Sequence, residues 1–207
     1  MFGSDDLLNL DLPGASLRAA GFVLVALLYG GYAWHLLRTG LLQRPFSGSA
    51  RAFFAAVVAT LAWGLMGLAD LFSSKLVTWH LALLFDQLRY AALAAFMLML
   101  LRPMSVQLQT WRARLWLGLP VVLLAASLAS NLALGLPSSI WPGAGRALLV
   151  TQLGWAVLGL LLVEQVFRNQ TEQNRWGAKP LCLGLGGLFL YDVYLYSQAL
   201  MFGAFDS

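Results

Sequence analysis

The chain is poor in charge. Of its 207 residues, 11% are Asp, Glu, Lys or Arg and 60% are hydrophobic. Soluble domains carry about 25% charged and about 45–50% apolar residues, so too little polar surface is present to coat a soluble globule. The apolar excess also excludes a disordered chain, which by definition buries little apolar surface. Cysteine is nearly missing. The one present, Cys182, cannot build an intramolecular disulfide framework or a Cys-based zinc site, and in its apolar run it reads as a small packed hydrophobe. Histidine is scarce too, and the two present, His35 and His80, fall at opposite faces of the membrane topology drawn below, so no metal is expected. No G-x-S-x-G, H-E-x-x-H or P-loop pattern occurs, and no catalytic residue is assigned. These absences leave an integral membrane protein whose first partner is the lipid bilayer.

What is present fits that class. The mean hydropathy is +0.74. Six apolar runs follow one another, at about 19–37, 52–72, 79–101, 115–136, 147–167 and 178–202. Each is long enough to cross about 30 Å of hydrocarbon as a helix rising about 1.5 Å per residue. A β-barrel would instead show alternating segments of about ten residues. The expected fold is therefore all-α: a polytopic bundle of six transmembrane helices forming one domain over 1–207. Pro137–Gly145 and Asn169–Gly177 are the most polar connections and read as loops, the second able to extend its helix by a turn or two.

The net charge of +4 raises the question of nucleic acid, which the distribution of the basic residues answers. They form no dense patch with interleaved aromatics, so no nucleic-acid partner is expected. Arg38, Arg44, Arg51, Arg102, Arg112, Arg114, Arg168, Arg175 and Lys179 fall on one side of the drawn topology, with Glu172 among them. Arg18, Lys75 and Arg146 fall on the other, with Asp5, Asp6, Asp11, Asp70 and Asp206. By the positive-inside rule the first set is cytoplasmic and both termini are outside. Trp34, Trp111, Trp116, Trp176, Trp79 and Trp141 lie at predicted interfaces, where amphipathic rings gather, while Trp63 and Trp155 fall within spans.

An ionisable side chain inside a bilayer is costly enough to mark a functional site. Asp86 and Arg89 stand three apart on the third span, and Asp192 lies near the middle of the sixth. At about 1.5 Å per residue from the outer ends, Asp86 reaches about 10 Å deep and Arg89 and Asp192 about 15 Å. These depths allow an Asp86–Arg89–Asp192 cluster that either senses or ties two spans together. Tyr90, Asn131, Tyr194, Tyr196 and Gln198 are candidate walls of a polar pocket beside it. Glu164 sits near a span end, within reach of the interface. Glycines recur at Gly30, Gly31, Gly64, Gly67, Gly154, Gly159, Gly184, Gly186 and Gly187, a pattern that predicts close helix packing through small residues.

One stretch is more distinctive. The run Arg175-Trp176-Gly177, then Lys179-Pro180-Leu181-Cys182, Gly184 with Gly186 and Gly187, and Tyr191-Asp192 resembles the membrane-sensor region of the PEP-CTERM/exosortase-associated sensor histidine kinases of the PrsK type. The segment quoted covers about a fifth of the chain. The resemblance implies a membrane domain in the inner membrane of Gram-negative bacteria that sort PEP-CTERM proteins and make exopolysaccharide. It implies a GAF-like region and a kinase core that uses ATP and Mg, and a response regulator as partner. It also implies a homodimer. The 207 residues hold neither a phosphoacceptor histidine segment nor glycine-rich ATP boxes, so no cofactor is expected in this chain.

Six spans that start outside also end outside, and a cytoplasmic kinase core would need an odd number of further spans. The expectation is a sensor fragment, with a small stand-alone transporter or proton-coupled carrier as the alternative. No broken-helix or paired-repeat pattern of the usual transporter kind is present.

Overall fold

In a computed structural model of the chain, residues 4–39, 48–73, 76–105, 111–135, 143–170 and 172–202 are described. All six apolar runs are helices: α1 Ser4–Arg38, α2 Gly48–Ser73, α3 Leu76–Ser105, α4 Trp111–Leu134, α5 Ala144–Arg168 and α6 Glu172–Phe202. No strand occurs among the described residues. The cause is the solvent: hydrocarbon offers no hydrogen bonds, so an apolar run must satisfy its backbone internally, and a helix does so within one segment.

Five stretches are long and apolar enough to cross a membrane: Ser16–Arg38, Gly48–Ser73, Leu76–Leu101, Leu117–Leu134 and Ala144–Arg168. They follow the expected spans, the largest difference being at the start of the second, at Gly48 where 52 was expected. With 31 residues, α6 has the length to cross as well, but Lys179, Tyr191, Asp192, Tyr194, Tyr196 and Gln198 make it more polar than the five. The protein is thus an all-α, polytopic membrane protein of six helices. Arg44, Lys75, Pro137, Trp141, Thr171 and Asp206 lie outside the described residues, as do the side chains of Asp5, Asp6, Asp11, Arg102, Trp111, Arg112, Arg114, Trp116, Glu172 and Arg175.

Helix ends follow local chemistry. Thr39 closes α1: its N–H donates to the His35 carbonyl at 3.0 Å, and its hydroxyl donates to the carbonyls of His35 and Leu36 at 3.1 and 3.2 Å. Asn169 closes α5 by donating its N–H to the Gln165 carbonyl at 3.1 Å. The Asn169–Gly177 connection is much shorter than a loop reading of it. From Glu172 onward the chain is helical again, and Pro180 sits inside α6. Gln, Asn and Arg at 173–175 are compatible with a helix continuing beyond hydrocarbon, and Pro180 removes only the one bond to the Trp176 carbonyl.

The contacts divide the chain into two units, Met1–Arg89 and Tyr90–Ser207, and α3 contributes to both. In the first unit α1 packs on α2. Gly64 and Gly67, one turn apart on α2, leave room for two side chains of α1. Val25 lies 3.0 Å from where a Cβ on Gly64 would stand, and the Phe22 ring fills the space above Gly67. Phe22 also meets Trp63 edge-on, with centroids 5.4 Å apart. Toward the other end Ala33, Leu36 and Val57 form a small core with Tyr29, Phe53 and Phe54.

In the second unit α5 is central, packed against both α4 and α6. Leu123 of α4 seats over Gly154, 2.9 Å from a would-be Cβ, and Phe189 of α6 seats over Gly159 at 2.5 Å. The glycine expectation therefore holds on α2 and α5 and fails on α6. Among the described residues nothing lies within 4 Å of a Cβ on Gly184 or Gly187, and Gly186 only reaches Val163 at 3.9 Å. The reason is angular. Gly184 and Gly187 lie on the exposed stripe of α6 with Leu183, Leu190, Tyr191, Tyr194, Gln198 and Met201, spaced three and four apart.

Adding a side chain should therefore have opposite effects at two kinds of glycine. Gly159→Val drives a branched side chain into the fully buried Phe189 ring and is expected to cost about 1–3 kcal/mol through overpacking. Gly184→Ala and Gly187→Ala meet open space and are expected to be neutral, or to stabilise by up to about 1 kcal/mol through helix propensity. Thermal unfolding of purified variants in detergent, followed by circular dichroism, reads the difference.

Candidate functional site

The middle of α3 is polar where the helix is buried. Asp86, Gln87, Arg89 and Tyr90 are 8%, 0%, 6% and 1% exposed. In a solvent without hydrogen bonds such groups must find partners on neighbouring helices or on their own.

Within the first unit, Arg89 has two. Its Nη2 lies 2.8 Å from Asp86 Oδ1, one turn earlier on the same helix. Its guanidinium carbon stands 4.2 Å from the ring centroid of Trp63 on α2. Arginine stays protonated even when buried, so the charge must be compensated where it stands. An adjacent carboxylate and an indole face supply two independent forms of compensation. Trp63, a residue that the sequence marks only as an intramembrane tryptophan, thus forms one wall of the Arg89 site.

Within the second unit, Tyr90 is the hub. Its hydroxyl donates to Asp192 Oδ2 at 2.6 Å, a short bond to an acidic acceptor. Its ring stacks on Trp155 of α5 at 6.2 Å and 15°, and on Phe189 of α6 at 6.2 Å and 28°. Phe189 and Asp192 are one turn apart on α6, so the helix face that presents the ring also presents the carboxylate. Both Asp192 and the surrounding rings are buried. A carboxyl that accepts the Tyr90 hydroxyl's hydrogen bond here can redirect it, and that event alters how α6 is held to α3.

The remaining candidates separate. Asn131 is buried on α4, and Tyr196 is half-buried on α6. Tyr194 and Gln198 pair with each other, the Gln198 amide donating to the Tyr194 hydroxyl at 2.8 Å on the exposed side of α6. In the stretch carrying the family resemblance, Lys179 Nζ stands 3.4 Å over the Trp176 ring, and Tyr191 is exposed. Glu164 and Arg168 form an exposed pair at 3.3 Å near the end of α5, an arrangement worth at most about 1 kcal/mol. Among the described residues, no three His, Cys, Asp or Glu side chains gather as a metal site would require.

A survey of ionisable residues alone passes over the buried neutral ones. Thr60, Ser127 and Ser130 are buried but return their hydroxyls to carbonyls of their own helices, at 2.8, 3.0 and 2.8 Å, a local and structural solution. Gln87 and Gln152 are different, since a carboxamide is larger and carries both donors and an acceptor. Both are buried, Gln87 fully. A glutamine in the middle of an apolar run is the sequence signal that marks them.

Removing the Tyr90 hydroxyl leaves a buried carboxylate oxygen without its donor. Tyr90→Phe is expected to lower stability by about 1.5–3 kcal/mol, the range for hydrogen bonds to charged groups. In a double-mutant cycle with Asp192→Asn, most of that should appear as coupling. Glu164→Gln should be nearly silent by comparison. Denaturant unfolding in mixed micelles measures all three, and additive Tyr90 and Asp192 effects would contradict the assignment.

Compared with models of protein families, with curated proteins and with solved structures, the chain matches none.

Proposed function

We propose that this chain is the membrane-embedded signal-input module of a sensor histidine kinase, of the type that accompanies PEP-CTERM protein sorting and exopolysaccharide production. The observation that carries the reading is the Tyr90–Asp192 bond. Asp192 closes the stretch that resembles that kinase family, and its bond ties that stretch to Tyr90 of α3. Two helices held in part by one strong hydrogen bond suit a module that changes between two packings, because losing that contact shifts a balance of only a few kcal/mol.

In this proposal the basic helix ends face the cytoplasm of a bacterial cell and both termini of the chain face outward across the inner membrane. Phosphoryl transfer belongs to a kinase core that uses ATP and Mg, with a response regulator receiving the phosphate. A homodimer belongs to the same proposal, since such cores work in pairs. Buried intramembrane charges also suit a proton-coupled carrier, the alternative reading.

One preparation separates the two. The complete gene product, captured from host membranes with an antibody to this chain and supplied with radiolabelled ATP, is expected to acquire acid-labile phosphohistidine. Asp192→Asn is expected to change the level of label with the affinity for ATP unaltered. Absence of label, together with proton-driven uptake in proteoliposomes that Asp192→Asn abolishes, would establish the carrier instead.

A further inference from the structure

The turn between α5 and α6 carries a second arrangement, independent of the buried charges and of the signalling proposal. Only residues 169–171 separate the two helices, so Arg168 and the first turns of α6 occupy the same end of this unit. Trp176 is 76% exposed, although indole is among the largest apolar side chains. Lys179, one turn further along α6, places its ammonium 3.4 Å from the centre of that ring. Among the described residues no carboxylate pairs with Lys179. Arg168 is 70% exposed, and its partner Glu164 is held at 3.3 Å on the surface, where the pair is weak.

The positions fix a depth. From Glu172, Trp176 lies about 6 Å and Lys179 about 10 Å along the α6 axis. The uninterrupted apolar run of α6 starts just beyond, at Leu181. The Trp176–Lys179 pair therefore sits where hydrocarbon gives way to headgroups, the level at which indole rings accumulate. A ring face engages one side of an ammonium and leaves its other donors available. An exposed guanidinium at the same helix end adds a fork suited to phosphate oxygens. The first unit repeats the chemistry: at the end of α1, Arg38 stands 5.0 Å over Trp34, itself 59% exposed. Two cation–indole pairs at helix ends, each with its ring outward, form a pattern that general surface charge does not require.

We propose that the α5–α6 corner, through Arg168, Trp176 and Lys179, is a binding site for the phosphate of an anionic phospholipid headgroup. The net positive charge selects anionic over zwitterionic lipid, the ring sets the depth, and the guanidinium and ammonium hold the phosphate. Each basic side chain near an anionic surface contributes about a fivefold gain in affinity.

The test uses the full chain purified in detergent, with phosphatidylglycerol or phosphatidylcholine added and bound lipid counted by native mass spectrometry. Phosphatidylglycerol is expected to be retained in preference to phosphatidylcholine. Arg168→Gln and Lys179→Gln should each lower that retention about fivefold. Trp176→Leu should lower it too, whereas Lys179→Arg should restore most of it. Arg18→Gln, an exposed cation near the start of the apolar span Ser16–Arg38 of α1, is the control and should leave retention unchanged. Helicity by circular dichroism confirms that each variant is folded, which is expected because Arg168, Trp176 and Arg18 are exposed and Lys179 is half-buried.

Equal retention of the two lipids would overturn the proposal, as would unchanged retention in the Arg168→Gln/Lys179→Gln double variant. An equal loss in Arg18→Gln would also overturn it, because the effect would then be general attraction. Inorganic phosphate in millimolar amounts is expected to displace none of the lipid, and full displacement would mark a soluble-anion site instead.

Discussion

Hydrocarbon cannot hydrogen-bond, and this protein's interior is organised around that fact. Each polar group within the described helices has to be answered locally, by its own helix, or by a specific neighbour. The hydroxyls of Thr60, Ser127 and Ser130 take the local route and cost the fold little. Arg89 and Asp192 cannot. The first is held by a carboxylate one turn away and by an indole face, the second by a tyrosine hydroxyl from a helix 102 residues distant in sequence. The long-range contact is the more informative, because it fixes which turn of α6 faces which turn of α3.

That alignment depends on residues with no polar chemistry. Gly159 lets Phe189 approach the α5 backbone more closely than a Cβ would allow. Phe189 then stacks on Tyr90, and Trp155 supports the other approach to the same ring. Asp192, one turn beyond Phe189, arrives at the hydroxyl as a consequence. Displacing the wedge moves the carboxylate. A helical ridge spacing of about 5.4 Å per turn means that a slip by one turn would separate donor and acceptor completely. The glycine and the hydrogen bond are thus parts of one device, although they lie on different helices.

Much of this was legible in the chain and some of it could not be. The helices follow from runs of apolar residues, whose length is set by the bilayer and not by tertiary contacts. The Asp86–Arg89 pair follows from a spacing of three, which a helix converts directly into adjacency. The Tyr90–Asp192 bond is of another kind. Depth along each span brings Asp192 to the level of Arg89 and Tyr90 alike, and only the rotation of each helix about its axis selects a partner. That rotation is set by ring and glycine packing, which no single-helix pattern encodes. Gly184 and Gly187 show the converse: the residue type is right for close packing, but the face is outward. The onset of α6 at Glu172 was legible only as an extension of a turn or two, since a helix stabilised by its neighbour continues through residues whose composition alone marks a connection.

The two polar centres divide the work differently. The Asp86–Arg89 pair is two charges on one helix one turn apart, so the spacing of that helix alone brings them together. The Tyr90–Asp192 bond exists only while α3 and α6 keep their alignment, and its strength is comparable to the difference between two helix packings. A buried charge pair and a long-range hydrogen bond involve consecutive residues of α3, Arg89 and Tyr90. Losing the Tyr90–Asp192 contact alters how α6 is held to α3.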